Sequence, residues 1–361
     1  MIRSFLKAGT LLSIVCIIII GAGCSRSKQK MEVPDIKMIT KENVHGVIAP
    51  DDDNIWIVGN YGTIYHSSDG GESWIKQDSG IKEFILCDGV FLDSKTGWIV
   101  GAYGTILHTT DKGETWIKQD PGTDKHLFGI SFVDESHGWV VGEWNIILHT
   151  TDGGKTWETQ TEEEDKILNN VLFIDRENGW LVGEAGIIRN TNDGGKTWSI
   201  KMPKSFERET LDDLYARQRP ALFGIHFTDK NNGILCGIEG AILKTTDSGT
   251  TWDVIESHTT LTLYTVFMKN GKGWIVGDKG AYLISSDGGS TWEATDDVIK
   301  SKFWFRDVYF PSPENGWAVG QGGSVVHTTD GGKTWKFRSG ISYAMEFFKM
   351  PKALEFGGGV E

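Results

Sequence analysis

The sequence predicts an all-β fold, a seven-bladed β-propeller of four-stranded blades. One observation is a motif, Ser/Thr-x-Asp-x-Gly-x-Ser/Thr-Trp, that occurs seven times with a dominant spacing of about 41 residues between its tryptophans. A second is a segment, Trp-x-Val-Gly, that recurs in phase with this motif in six of the seven repeats. A third is the presence of four short apolar segments per repeat, which is typical of a propeller blade.

The third repeat illustrates the four predicted strands. They cover Leu127–Phe132, Gly138–Gly142, Ile146–His149 and Thr156–Thr159, and Gly, Asp, Glu, Ser and His clusters separate them. Each repeat therefore supplies a complete blade. The sequence leaves open how the ring closes, because residues 33–39 or 343–348 could add a strand to a blade that is already complete.

The repeated motif predicts a tight turn between the third and fourth strands. Asp152 can accept hydrogen bonds from the backbone of its own turn, Gly153 and Gly154 allow positive φ, and Trp157 supplies a large apolar group. The motif resembles the Asp-box, or BNR repeat, which implies a structural rather than a catalytic role. The predicted structural residues are Asp69, Trp74, Asp111, Trp116, Asp152, Trp157, Asp193, Trp198, Asp247, Trp252, Asp287, Trp292, Asp330 and Trp335.

The chain divides into four predicted regions. These are a lipoprotein signal peptide at residues 1–23, a lipidated cysteine with a polar tether at 24–45, the propeller at 46–340 and a tail at 341–361. Near the start, two cations precede the apolar run Leu11–Ile20, which is too short to span a membrane comfortably.

The small residues before Cys24 resemble a lipobox, in which the cysteine is lipidated and becomes the mature N-terminus, although Gly21 stands where an aliphatic residue is usual. The resemblance implies an exported lipoprotein anchored at the periplasmic or another extracytoplasmic face. An ordinary signal peptide is the alternative.

Charge and cysteine content narrow the classes of partner. The formal net charge is −13, and loss of Arg3 and Lys7 with the signal would make it more negative. This acidity argues against nucleic acid and against a polybasic membrane patch. Cys87 and Cys236 lie in repeats 2 and 5, so we expect no disulfide between them. No cofactor is predicted.

Together, the Trp-x-Val-Gly strand, the Gly-Thr/Ala-Ile step that follows it in several repeats and the Asp-box resemble the photosystem II stability and assembly factor family. The resemblance extends from about Val47 to Ser339. It implies a protein-binding propeller that assists a membrane complex. Family members are similar in an arginine-rich patch at the start of the inner strands, and here only Arg306 fits. The other blades hold His45, Asp88, Phe128, Asn169, Phe223 and Tyr264 at the positions we take as equivalent.

Binding residues are predicted on the face opposite the Asp-boxes, which we call the upper face. The turns between second and third strands lie there and differ in every blade, as expected for a surface with its own task. A helix-like insert between blades 4 and 5 contributes arginines beside it. The predicted partner-binding residues are Tyr61, Tyr103, Glu143, Trp144, Glu184, Arg208, Arg217, Arg219, Glu239, Asp278 and Arg306.

Two functional classes are consistent with the sequence. A non-enzymatic scaffold fits the anchor, the propeller and the acidic and aromatic upper face. A glycan-binding or glycoside hydrolase propeller is the alternative, since Asp-boxes occur in sialidases and a pair such as Glu143 and Glu184 could serve a glycosidase. No metal site is predicted: His66, His108, His149 and His327 share one slot in different blades, too far apart to share an ion.

Overall fold

The computed structural model describes residues 39–201, 203, 219–295, 298–299 and 301–339. The predicted signal peptide, Cys24, most of the insert with Arg208 and Arg217, and the tail lie outside these residues. So do residues 33–38 and 343–348, two segments that the sequence offers as ring-closing strands. Within the described ranges, no helix is long and apolar enough to cross a membrane.

Seven four-stranded antiparallel sheets form the blades of a propeller, which confirms the predicted fold class. The strands of blades 1 to 3 are β1 Val44–Ile48, β2 Ile55–Gly59, β3 Ile64–Ser67, β4 Ile75–Gln77, β5 Leu86–Phe91, β6 Gly97–Gly101, β7 Thr105–Thr109, β8 Ile117–Gln119, β9 Leu127–Phe132, β10 Gly138–Gly142, β11 Ile147–Thr150 and β12 Glu158–Thr159. Those of blades 4 and 5 are β13 Leu168–Phe173, β14 Gly179–Gly183, β15 Ile188–Thr191, β16 Ser199–Ile200, β17 Leu222–Phe227, β18 Gly233–Gly237, β19 Ile242–Thr245 and β20 Asp253–Val254. Those of blades 6 and 7 are β21 Leu263–Lys269, β22 Lys272–Gly277, β23 Tyr282–Ser285, β24 Glu293–Ala294, β25 Phe305–Tyr309, β26 Gly316–Gly320, β27 Val325–Thr328 and β28 Lys336–Ser339.

The inner strand of every blade carries the same irregularity. Its pairing with the second strand shifts between its first and third residues, as between Leu86 and Asp88 in blade 2, so the second residue is an unpaired bulge. A bulge of this kind re-aims a side chain at the end of a sheet. The bulged residues therefore form one ring at the start of the inner strands.

Aromatic stacking joins neighbouring blades. Trp139 of blade 3 lies on Phe173 of blade 4, with ring centroids 3.6 Å apart and planes 5° from parallel. Trp198 then meets the same phenylalanine edge-on at 5.9 Å. Equivalent Trp–Phe stacks join blades 1 and 2, 2 and 3, 4 and 5, and 6 and 7. The core is therefore a set of apolar layers between blades.

The Asp-box is part of these interfaces. In blade 3, the Asp152 carboxylate accepts hydrogen bonds from the Thr156 backbone N–H and hydroxyl at 2.9 and 2.7 Å, and from the Thr150 hydroxyl at 2.9 Å. Gly153 and Gly154 have φ of 75° and 84°. The turn presents the Gly153 carbonyl to Trp98 of blade 2, whose indole N–H donates to it at 3.2 Å. These contacts hold the turn together and join it to the neighbouring blade.

Among the described residues, the ring closes without a shared blade. Blade 7 takes its four strands from 305–339 and blade 1 takes its four from 44–77. The Asp307 carboxylate accepts a hydrogen bond from the Val47 N–H at 2.9 Å, and the Asn43 side chain accepts one from the Gly322 N–H at 2.9 Å. Side-chain to backbone hydrogen bonds therefore supplement apolar packing at the closing interface.

Candidate functional site

The turns between second and third strands pack against the linkers between blades, which defines the upper face in the structure. In blade 3, the Glu143 N–H donates to the carbonyl of His126, and the Asn145 N–H donates to that of Lys166. The Asp-box turns lie at the opposite ends of the third strands. The upper face is thus built from the seven variable turns and the seven linkers.

Two predicted partner-binding carboxylates are engaged within the protein. Glu143 accepts a hydrogen bond from the His126 N–H at 2.8 Å, and Glu184 accepts one from the Ile167 N–H at 3.0 Å. Each carboxylate thereby satisfies a backbone donor just before an inner strand. Glu239 is exposed, Asp278 is half-buried and Arg219 is half-buried beside the undescribed part of the insert.

The three predicted aromatic residues are exposed on adjacent blades. Tyr61, Tyr103 and Trp144 are 59%, 54% and 42% exposed at equivalent turn positions of blades 1, 2 and 3. We call them the aromatic row. Lys125 lies over the Trp144 ring at 4.9 Å.

A cavity of about 320 Å³ opens where the inner strands begin. It is lined by His45, Ile85, Cys87, Phe128, Tyr264, Trp304 and Arg306. These residues come from blades 1, 2, 3, 6 and 7 and from linkers preceding two of them, so the cavity exists only because the ring brings distant parts of the chain together. We call it the axial pocket.

Arg306 is the cation of the axial pocket. Its guanidinium lies 4.7 Å from the Tyr264 ring and 5.5 Å from that of Phe223. Within the described ranges, it makes no ion pair within 4.0 Å. A half-buried guanidinium held by aromatic faces can take a carboxylate or another anion through its free N–H donors.

His45 lines the same pocket as a neutral group. It stacks on Trp304 at 5.6 Å and its Nε2 lies 2.7 Å from the Asn60 side-chain oxygen. Burial lowers the pKa of His45, the Asn60 hydrogen bond raises it, and the charge of Arg306 lowers it further. Cys87 is likewise uncharged, since burial raises the pKa of its thiol to about 12.

The structure corrects one predicted position in this ring. The alignment of the repeats predicts that Asp88 is the blade 2 equivalent of Arg306, but in the structure Cys87 occupies that bulged position. The reason is register: Asp88 pairs with Val100 as Asp307 pairs with Val319, so both aspartates follow the bulge. Ile85 and Trp304, which precede the inner strands, are pocket residues that the sequence reasoning missed. The linker residues differ from blade to blade, and this variation is the sequence signal that could have identified them.

Two half-buried carboxylates, Asp88 and Asp307, follow the bulged residues of blades 2 and 7. Asp88 accepts hydrogen bonds from the Gly89 N–H at 2.7 Å and the Ile130 N–H at 3.2 Å. Burial and the charge of Asp307 together raise the pKa of Asp88 to about 7, although its backbone hydrogen bonds and the charge of Arg306 oppose the rise. Burial also raises the pKa of Asp307 to about 6 against the opposing effect of its backbone hydrogen bonds. Between about pH 4 and 6 this pair therefore retains protons that exposed aspartates lack.

Replacing both aspartates by asparagine is expected to change how stability depends on pH. The folded protein binds these protons more tightly than the unfolded chain, so their stabilising contribution is present below about pH 4 and is lost as pH rises to about 7. Relative to wild type, the free energy of unfolding of the Asp88→Asn, Asp307→Asn variant should rise by about 1 kcal/mol or more between pH 5 and 8. Urea denaturation at both pH values measures this.

Asparagine is a suitable replacement because blade 4 carries Asn170 at the equivalent position, where its side-chain oxygen accepts the Val171 N–H at 2.8 Å. Taking the difference from wild type cancels the opposing contribution of buried histidines, which titrate in the same range. A stability difference that stays constant from pH 5 to 8 would show that the two aspartates do not carry raised pKa values.

The repeated histidines are accounted for by packing. Each stacks on the second-strand tryptophan of its own blade, as His149 does on Trp139 at 4.7 Å and His66 does on Trp56 at 4.0 Å. Burial lowers the pKa of His66 to about 4. In the part of the chain that the structure describes, no group of three or more His, Cys, Asp or Glu side chains is arranged to hold a metal ion.

These features define a class: a seven-bladed Asp-box propeller with a cationic, aromatic pocket on its upper face. The family described as photosynthesis system II assembly factor YCF48 matches residues 25–120, 116–205, 213–297 and 254–343. The chain therefore belongs to this family.

Solved structures show the same fold. A structure titled "YCF48 bound to D1 peptide" is 23% identical, with a TM-score of 0.66 over 81% of this chain and 94% of that one. YCF48 from Cyanidioschyzon merolae is 18% identical, with a TM-score of 0.64 over 81% and 97%. A GH74 xyloglucanase from Xanthomonas campestris is 12% identical, with a TM-score of 0.66 over 84% of this chain and 55% of that one. No curated protein matches the sequence.

Proposed function

We propose that this protein is a non-enzymatic assembly or stability factor that binds a segment of a membrane-complex subunit in the axial pocket. The observation that carries the proposal is Arg306, a half-buried cation held by Tyr264 and Phe223 that makes no ion pair within 4.0 Å among the described residues. The family's solved relative bound to D1 peptide supports a protein ligand. An acidic side chain or a terminal carboxylate is the group that Arg306 would receive.

Binding rather than catalysis is proposed because the conspicuous carboxylates already have structural partners. Asp152 and its equivalents are held inside the Asp-box turns, and Glu143 and Glu184 accept backbone hydrogen bonds. The GH74 likeness is one of fold, and under this proposal it carries no glycosidase chemistry to this chain.

We also propose that the protein works at a membrane surface, anchored through lipid on Cys24 after export. The support is the charged, apolar and small-residue succession that ends at Cys24. Such an anchor would keep the acidic propeller beside its partner complex and raise the partner's effective concentration. Recovery of a mature protein whose N-terminal Cys24 carries no acyl chains, as measured by mass spectrometry, would contradict the anchor.

In-cell photo-crosslinking tests the protein-binding function. A benzophenone amino acid replaces Phe128 in the axial pocket, and a matched control carries it at the exposed Lys155 of an Asp-box turn on the opposite face. We expect the Phe128 site to capture one subunit of a membrane complex, whose crosslinked segment mass spectrometry then identifies. Equal capture from both sites, or recovery of glycans without any protein, would contradict the proposal.

A further inference from the structure

The aromatic row occupies a backbone position that does not favour aromatic residues. The central turn residues Tyr61, Tyr103 and Trp144 have φ of 56°, 54° and 59°, in the left-handed region where bulky residues are uncommon. Blade 7 has Gly322 and blade 4 has Ala185 at the same position, with φ of 63° and 50°. A small residue is therefore sufficient to form this turn, so turn formation does not explain why aromatic residues occupy the position in blades 1 to 3.

Burial does not supply that reason. The three side chains are 59%, 54% and 42% exposed, and they project from three adjacent blades. At the next turns around the ring, Ala185, Glu239 and Lys279 stand in their place. One half of the upper face thus exposes aromatic surface, while the other half exposes small and charged groups. Exposed aromatic side chains at equivalent positions of neighbouring blades, on a face that otherwise carries small and charged groups, indicate an interaction surface.

Direct contacts connect this surface to the axial pocket. Tyr103 lies 4.6 Å from the ring of Phe84 and 4.6 Å from that of His126, and His126 lies 6.4 Å from Phe128, which lines the pocket. In blade 1, Asn60, the neighbour of Tyr61, is hydrogen-bonded to His45 of the pocket. The pocket and the turns of Tyr61 and Tyr103 therefore form one surface, and Trp144 occupies the equivalent position in the next blade.

The distribution of charge on the upper face favours one orientation of a bound ligand. The turns of blades 4 to 6 carry the carboxylates of Glu184, Glu239 and Asp278, which repel an acidic ligand. Arg306, at the axis, attracts one. On the aromatic side, Glu143 is hydrogen-bonded to the His126 N–H and the Lys125 cation lies over Trp144. A ligand whose acidic group sits at Arg306 therefore meets three carboxylates in one direction and, in the other, aromatic surface on which one carboxylate is offset by a cation.

We propose that the partner segment is an extended peptide whose acidic group binds Arg306 and whose neighbouring bulky apolar side chains lie on Tyr61, Tyr103 and Trp144. This proposal rests on the proposed function, since it extends the ligand of the axial pocket. It names the chemistry of the partner: an acidic residue or chain end joined closely to leucine, phenylalanine or similar side chains. Exposed aromatic residues of this kind supply much of the affinity at protein interfaces.

Two synthetic probe peptides test the proposal by fluorescence polarisation. The apolar probe is a fluorescein-labelled ten-residue peptide that ends in aspartate and carries two leucines and a phenylalanine before it. The serine probe replaces those three residues by serine. Both are measured against wild type, the triple variant Tyr61→Ala, Tyr103→Ala, Trp144→Ala, and Arg306→Gln. Alanine suits the turn because Ala185 adopts the same conformation in blade 4.

We expect wild type to bind the apolar probe about tenfold or more tightly than the serine probe. The triple variant should lose that gain and still bind the serine probe like wild type, whereas Arg306→Gln should weaken both probes. A control variant removes three exposed isoleucines of the outer strands, Ile75→Ala, Ile117→Ala and Ile200→Ala, which are 68%, 64% and 70% exposed. It should bind both probes like wild type.

The alternative outcomes separate the two proposals. Equal affinity for both probes, with dependence on Arg306 retained, would overturn the role of the aromatic row and leave the proposed function standing. Binding of neither probe to wild type would overturn both proposals. Equal losses in the triple variant and the isoleucine control would show nonspecific apolar binding and would also overturn the inference.

Discussion

Replacing Trp139 by alanine is expected to lower the free energy of unfolding by about 3 to 5 kcal/mol. The side chain is fully buried, stacks on Phe173 of the next blade at 3.6 Å and donates its indole N–H to the Gly194 carbonyl at 3.1 Å. Its removal leaves a cavity between blades 3 and 4 and takes the hydrogen-bond donor away from the neighbouring Asp-box turn. One substitution thus weakens a complete interface.

Urea denaturation followed by circular dichroism measures this loss, and Trp144→Ala is the matched control. Trp144 is 42% exposed and its backbone is left-handed, so its replacement should change stability by less than about 0.5 kcal/mol. Similar losses for the two variants would contradict the assignment of Trp139 to a structural interface and Trp144 to a surface.

Reversing the charge of Arg306 is expected to have the largest effect on binding. Arg306→Glu should weaken the affinity for the crosslinked partner segment, made as a synthetic peptide, by about 30-fold or more, because truncating one member of a buried charge pair costs about 2 kcal/mol or more and reversal adds repulsion. Fluorescence polarisation measures the affinity. The fold should be retained, since the side chain makes cation–π contacts at the surface of the pocket and no ion pair among the described residues.

Lys155→Glu is the control for this reversal, since it changes the net charge equally at an exposed Asp-box turn on the opposite face. It should leave the affinity within about twofold of wild type at physiological ionic strength, where separated exposed charges are largely screened. An equal loss in both variants would indicate a general effect of net charge and contradict a specific role for Arg306.

The fold was predictable because the sequence motif of one blade is repeated seven times. Strands β9 and β10 match their predicted bounds, since Gly, Asp and Ser punctuation delimits them. Strand β12 is shorter than predicted, Glu158–Thr159 against Thr156–Thr159, because Thr156 belongs to the Asp-box turn, where it bonds Asp152. Hydrogen bonding within the Asp-box turn thus determines the structure of residues that the apolar pattern assigned to a strand.

The site was only partly predictable. Arg306 and the aromatic row stand out as departures from a repeated background, and that signal is visible in the sequence. The axial pocket is not visible, because its walls come from five blades. Its walls also depend on an unpaired residue in each inner strand. In blade 2 the sequence pattern placed this residue at Asp88, whereas the structure places it at Cys87. The internal hydrogen bonds of Glu143 and Glu184 also require the linkers to be in place.

Hydrogen–deuterium exchange of the complex with the crosslinked partner segment tests most directly the claim that the upper face is the binding face. Protection is predicted at the starts of the inner strands and their linkers, residues 84–88, 126–128 and 304–306, and at the turns around Tyr61, Tyr103 and Trp144. The Asp-box turns should exchange as in the free protein. Protection confined to the Asp-box turns, with the upper face unchanged, would contradict the claim.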